Sequence, residues 1–230
     1  MTEKEKQTPH YIGHRERLRK KLIECGSETF ADYELLEFLL MLSIPRKDVK
    51  PLAKDLIKKF GSFNNVINAS NTQLLEINGI GETVVASFRL IQAAITKTLK
   101  DKVENDSVIS NWTELINYCK ANIGNKTTEE FHVLYLNTKC HLIKDETHST
   151  GTINNSSVYP REILKNVLEI GAASIIIVHN HPTGDTTPSN ADINITKKIR
   201  DVLKTIDVPL HDHLIVGKGN CFSFKSFGLL

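Results

Sequence analysis

Apolar residues recur along this 230-residue chain with two different periods, and the change falls near residue 108. In the first stretch they stand three and four apart, the spacing that puts side chains on one face of a helix. His14 to Glu24 carries Leu18, Leu22 and Ile23 on one face; Asp32 can cap a helix holding Tyr33, Leu35, Leu36, Leu39 and Leu40; Val49 to Phe60 repeats the pattern. Residues 14–100 are therefore expected to pack as an all-helical domain, preceded by a polar tail over residues 1–13.

Within that domain, LLEINGIGETVVASFRLIQAA (residues 74–94) places Gly79, Ile80 and Gly81 between two helical runs and resembles a helix-hairpin-helix. Two glycines permit a tight turn whose N–H groups, with the following helix N-terminus, can hold a phosphate without reading a base. The competing reading is an ordinary helical turn with Ile77 and Ile80 in the core. The basic run His14 to Lys21 is likewise either a phosphate-contacting face or a solvated one.

The polar stretch DKVENDS, residues 101–107, reads as a linker, and a second domain is expected over residues 108–230. It opens with a helix over about 111–123. Phe131, Val133 and Tyr135 then alternate with His132, Leu134 and Leu136, and a second run follows at His141 to Thr147. Asn137-Thr138-Lys139 between them is turn chemistry, so the two runs predict a hairpin. Pro160 suits the first turn of a helix that Gly171 ends; Ala172 to Val178 is a fully apolar strand; Ser189 to Lys204 is helical; His213 to Val216 and Phe222 to Phe224 are closing strands. The predicted fold is an α/β (α+β) domain with a mixed sheet, joined to the separate helical domain.

Composition narrows the setting. The chain is 40% hydrophobic and 24% charged, as a folded soluble protein is. MTEKEKQTPH has no apolar core of a signal peptide and no run is long enough to span a membrane, so a cytoplasmic protein is expected. Cys25, Cys119, Cys140 and Cys221 form no C-x-x-C pair and read as free thiols. Basic residues are in surplus over residues 1–100 and slightly outnumbered beyond, which assigns any non-specific DNA contact to the helical domain.

The segment that carries chemistry is IIIVHNHPTGDTTPSNAD, residues 175–192. His179 and His181, two apart at a strand end, project to the same side. A loop with Pro182, Gly184 and Pro188 turns the chain back, and Asp192 lies in the first turn of the next helix. His179, His181 and Asp192 make a zinc set with the fourth position open for water, the arrangement of a catalytic site. Taken singly, Ser189 and Asp192 are a helix capping pair and a histidine at a strand end is a packing residue; the joint spacing H-x-H-x7-S-x2-D argues for one zinc per chain.

That spacing resembles the JAMM (MPN-type) metallopeptidase signature. YELLEFLL, IPRKDVKPLAKDL, the INGIG turn, GTINNSSVYPREI, HNHPTGDTTPSNAD, DHLIVG and SFKSFGLL are similar to one bacterial branch, the RadC-like proteins, over residues ~10–230. The resemblance implies a JAMM/MPN-like fold and a zinc-activated water attacking the carbonyl of a peptide or protein substrate. It also implies a glutamate as general base and a serine donating to the oxyanion. Ser189 takes the serine role. Glu130, directly before the first strand, is the best match for the base, with Glu129 and Glu146 as alternatives.

Two other classes remain open from the residues. One is a DNA-binding or regulatory protein whose zinc site is structural or inactive; the other is a metal-dependent nuclease, invited by the letters His-Asn-His but disfavoured because here they are contiguous. A second H-x-H, His211 and His213, lacks the serine and aspartate, so packing or support is expected, with Asp212 orienting an imidazole. His10, His14, His132, His141 and His148 are expected at the surface.

Overall fold

The computed structural model describes residues 12–151 and 158–230, and the chain divides into two compact units, Met1–Ala93 and Ala94–Leu230. The expected polar tail, His10 and the middle of GTINNSSVYPREI lie wholly or largely outside the described residues.

The first unit is helical. It comprises α1 (Ile12–Cys25), α2 (Asp32–Ser43), α3 (Lys50–Phe60), α4 (Phe63–Asn68), α5 (Asn71–Leu75) and the start of α6 (Glu82–Asn105). Leu36, Leu40, Leu56, Leu74 and Phe88 are among the side chains that close one core. Asp32 is the first helical residue of α2 rather than its cap. Ala31 occupies the cap, Glu34 Oε2 accepts Ala31 N at 3.1 Å, and Asp32 Oδ2 accepts Phe63 N at 2.8 Å. Arg15 donates to the carbonyls of Met41, Ile44 and Lys47, satisfying the open end of α2.

Residues 101–105, expected in a linker, continue α6 instead. Val103, buried among the apolar residues of the second unit, gives this otherwise polar stretch a reason to stay helical.

The second unit follows with α7 (Trp112–Ile123), β1 (Glu130–Leu136), β2 (Leu142–Thr150), α8 (Pro160–Ile170), β3 (Ser174–Asn180), α9 (Asn190–Lys204), β4 (Leu210–Val216) and β5 (Cys221–Ser223). The five strands form one mixed sheet in the order β2-β1-β3-β4-β5, parallel only between β3 and β4. The predicted hairpin is β1–β2: Asn137 Oδ1 accepts the N–H of Lys139 at 2.9 Å and of His141 at 3.0 Å. β4 begins at Leu210, earlier than the expected His213.

Alternation sorts the two cores. Leu134, Leu136, Ile176 and Val178 face α7 and the end of α6; Val133, Tyr135, Ile175 and Ile177 face α8 and α9. Every residue of β3 is buried, and each apolar side chain covered this way stabilises the sheet by about 1.5–3 kcal/mol. Since β3 and β4 run parallel, the chain crosses back through α9, and the N-terminus of that helix meets the C-terminal end of β3.

Candidate metal centre

His179 is the last but one residue of β3, and His181 follows the strand by one. His181 N donates to Val216 O at 2.9 Å, extending the pairing with β4 so that both imidazoles emerge on the α9 side. The return loop is tight. Gly184 has φ 92°, and a Cβ at Gly217 would lie 2.6 Å from Gly184 O, so only glycine fits there. The loop ends at Ser189, which caps α9: Asp192 N donates to Ser189 Oγ at 3.2 Å, and Ser189 N donates to Asp192 Oδ2 at 2.7 Å.

Asp192 is thus a capping partner and something more. Its Oδ1 lies 3.2 Å from His179 Nε2 and its Oδ2 lies 3.6 Å from His181 Nε2, while the two Nε2 atoms are 3.1 Å apart. Glu129 joins them; ligand atoms of Glu129, His179, His181 and Asp192 all lie within 4.8 Å of one another.

Hydrogen bonds behind the cluster assign its protons. Thr196 Oγ1 stands 2.5 Å from Asp192 O and 2.6 Å from His213 Nδ1. A carbonyl oxygen only accepts, so the Thr196 hydroxyl donates to it and its oxygen accepts from His213 Nδ1–H. His213 Nε2 is then bare and, at 2.8 Å, accepts from His179 Nδ1–H. The Nε2 lone pair of His179 is left pointing into the cluster. His181 reaches the same state, because its Nδ1 donates to Asp185 O at 2.6 Å. Burial agrees: His213 is fully enclosed, and desolvation pushes its pKa well below the ordinary imidazole value.

Two bare nitrogens beside two carboxylates repel unless a cation lies among them. A proton can serve. A hydrogen bond that protonated His181 donates to Asp192 raises the His181 pKa against the effect of burial. Burial alone would raise the Asp192 pKa, but hydrogen bonds to His179 and His181 hold it far below the usual carboxylate range. Among the described residues this is the group able to hold a metal with three or more such side chains.

Residues 109–229 match the RadC-like JAB domain family, and residues 10–86 match the UPF0758 N-terminal family. This chain belongs to the RadC-like JAB domain family. A UPF0758 protein of Ruegeria pomeroyi is 44% identical over 223 residues, 96% of this chain and 100% of its own length. A UPF0758 protein of Rhodobacter capsulatus is 44% identical over 213 residues, 93% and 100% of the two chains.

In this RadC-like chain the structure brings Glu129, not Glu130, to the histidines. Phe131 pairs with His179 across β1 and β3 and stacks on its ring at 6.1 Å, so odd-numbered residues of β1 face the cluster. Glu130 points through the sheet to the other side, where its Oε2 accepts from Lys126 Nζ at 2.6 Å and from His132 Nε2 at 2.9 Å. Glu146, the other alternative, binds Asn166 at 2.9 Å and Lys144 at 3.1 Å.

His132 is buried rather than at the surface. Its Nδ1 meets Asp145 Oδ1 at 2.7 Å, and Asp145 Oδ2 accepts from Tyr118 and Asn122 of α7. Burial disfavours the imidazolium, yet hydrogen bonds and charge from Asp145 and Glu130 raise its pKa. His14 bonds the buried Glu37 at 2.8 Å, and His148 bonds Tyr135, so neither is a plain surface residue.

Of the second H-x-H, His213 supports His179, with Phe224 stacked on it at 4.5 Å, while His211 faces Cys140. Asp212 does not orient an imidazole; it accepts from His213 N, Lys225 N and Ser223 Oγ and fixes the β5 turn. Thr196 carries no motif signal of its own; only its place one turn beyond Asp192 on the same helix face points to it.

The Gly79-Ile80-Gly81 turn leads into α6. Gly79 has φ 93°, the Ile80 side chain is buried, and Ile80 N already donates to Ile77 O, which leaves Ile80 no group for a phosphate. All four cysteines are free thiols, and no helix among the described residues is long and apolar enough to cross a membrane.

Proposed function

We propose that the second unit is a zinc-dependent amide hydrolase, with His179, His181 and Asp192 holding the metal, Glu129 as general base and Ser189 as oxyanion donor. The observation that carries it is the convergence of two bare Nε2 atoms on the Asp192 carboxylate. A tetrahedral zinc with bonds of about 2.0–2.1 Å has ligand–ligand edges of about 3.3 Å. The separations here, 3.1, 3.2 and 3.6 Å, fit those edges, and two imidazoles favour zinc over magnesium or calcium.

Zinc bound there would lower the pKa of a water molecule and polarise a substrate carbonyl. Glu129 is the carboxylate that would accept a proton from the attacking water and return it to the nitrogen of the leaving amine. Ser189 Oγ accepts from Asp192 N, which leaves its own hydroxyl proton available to donate to a substrate oxygen. His213 and Thr196 keep His179 in the tautomer that presents Nε2. Peptide or protein is the substrate class.

The test is elemental analysis of protein purified without added metal. About one zinc per chain in the wild type and none in Asp192→Ala is expected, with Glu129→Gln retaining zinc. Equal metal in wild type and Asp192→Ala, or none in either, overturns the reading.

We propose as a second role for the helical unit non-specific DNA contact at the N-terminus of α6, on the resemblance of residues 74–94 to a helix-hairpin-helix; Gly81, where an added side chain meets open space, is the position that tests it. Gly81→Glu is expected to keep the fold and weaken duplex binding in fluorescence anisotropy; unchanged binding removes that role.

A further inference from the structure

We propose that Asn180, the residue between the two histidines, is a positioning residue that holds Glu129 at the metal cluster; this rests on the hydrolase reading above. Asn180 ends β3 and is completely buried. Neighbouring strand residues face opposite ways, so its side chain leaves the sheet on the side away from His179 and His181. There it meets the segment that precedes β1. Its Oδ1 accepts Glu130 N at 2.8 Å, and its Nδ2 donates to Thr128 O at 3.1 Å and Lys126 O at 3.3 Å.

Residues 126–129 form neither helix nor strand, and Thr127 and Thr128 are exposed. Ordering each such residue costs about 1–2 kcal/mol of chain entropy, so an untied segment would leave Glu129 free to wander. Asn180 ties it on both sides of Glu129, at Thr128 O and Glu130 N. A further bond, Gly151 N to Glu129 O at 2.8 Å, holds the backbone of Glu129 itself. The same strand end therefore supplies His179 and His181 to one face and fixes the glutamate's backbone from the other.

The residue type follows from the contacts. Asparagine offers one acceptor and two donors on a short stem, and all three are used. Aspartate keeps the acceptor and loses both donors; serine has a single donor.

The experiment is Co²⁺ titration of the metal-free full chain, followed by visible absorption, for wild type, Asn180→Ala, Asn180→Asp, Glu129→Gln and the Asn180→Ala/Glu129→Gln pair. Asn180→Ala is expected to weaken Co²⁺ about tenfold and to shift the spectrum as Glu129→Gln does. Asn180→Asp should fall between it and wild type. The double variant should be no weaker than either single one, because Asn180 acts through Glu129. Additive losses, or wild-type affinity in Asn180→Ala, overturn the inference while leaving the metal centre intact. A wild-type chain that takes up no Co²⁺ overturns the hydrolase reading, and this one with it. Should Asn180→Ala not fold, the wild-type protein still decides: the side-chain amide protons of Asn180 must exchange slowly with solvent, and rapid exchange overturns the clamp.

Discussion

Two histidine clusters lie on opposite faces of the same sheet, His132 of β1 standing opposite Val178, one position from His179 on β3, and they differ in what each imidazole meets. On the α7 side, His132 presents each ring nitrogen to a carboxylate, Asp145 at 2.7 Å and Glu130 at 2.9 Å, with Lys126, Tyr118 and Asn122 completing the set. Donors and acceptors balance, so that cluster is closed. On the α9 side, His179 and His181 turn bare Nε2 atoms toward Asp192, and the hydrogen bonds that fix them all lie behind the rings. Acceptors outnumber donors there, so the cluster could hold a cation. Histidine beside carboxylate is thus insufficient to identify a metal site; the direction of the ring protons decides.

The two adjacent glutamates give the sharpest way to break this comparison. Glu129→Gln is expected to keep zinc and to lower the rate on a cleavable peptide by about 10²–10⁴-fold, the usual worth of a positioned general base. Glu130→Gln should retain hydrolysis and lose stability instead. A Glu129→Gln variant with full activity, or a Glu130→Gln variant that is folded and inactive, would reverse the assignment.

Next in size is His132→Ala, which leaves two partly buried carboxylates facing a void. Removing one partner of a buried ion pair costs about 3–5 kcal/mol. The lower end is expected, because Glu130 keeps Lys126 and some solvent. Urea unfolding reads the loss; a change below about 0.5 kcal/mol would show that the network is not a clamp.

Why does the sequence bring His179, His181 and Asp192 together but not single out Glu129 beside them? His179, His181 and Asp192 lie within one strand–loop–helix segment, where spacing along the chain nearly fixes spacing in space. Choosing between Glu129 and Glu130 requires the register of β1 on β3, and a one-residue slip sends every side chain to the other face. That register, Phe131 opposite His179, is a tertiary fact. His132 was half legible: Glu130 two residues earlier shares its face, but Asp145 arrives only through the pairing of β2. The helices and the hairpin followed from periodicity. The false linker arose because one buried residue, Val103, is too little to show a period among polar neighbours.

Metal removal separates the clusters with a smaller effect. With zinc at about one hundred times Kd, binding to the folded state alone adds about 2.7 kcal/mol. A chelator should therefore lower the thermal midpoint of wild type and leave Asp192→Ala unmoved. His132→Ala, already less stable, should keep the full chelator response; losing it would mean that the two faces are not independent.

The smallest effect is a pH dependence confined to the closed cluster. The pKa of His132 is raised in the folded chain, as Asp145 and Glu130 outweigh burial, so its stabilisation is complete below the unfolded value of about 6.5. It is lost as pH climbs through the folded value. For Glu130 and Asp145, burial works against the charged form, but their hydrogen bonds to His132 prevail and lower both pKa values. Their share is present above the unfolded carboxylate values and is lost as pH falls through the folded ones. The stability difference between wild type and His132→Gln should accordingly be greatest between about pH 5 and 6.5 and shrink on the alkaline side. Of the other histidines, His211 with a lowered value and His181 with a raised one are common to both proteins and cancel in the difference, whereas His148, held down by burial first and in small part by the charge of His132, adds a minor contribution of its own. A difference that stays flat from pH 6 to 9 would mean that His132 is neutral, and that the closed cluster holds by hydrogen bonds without charge.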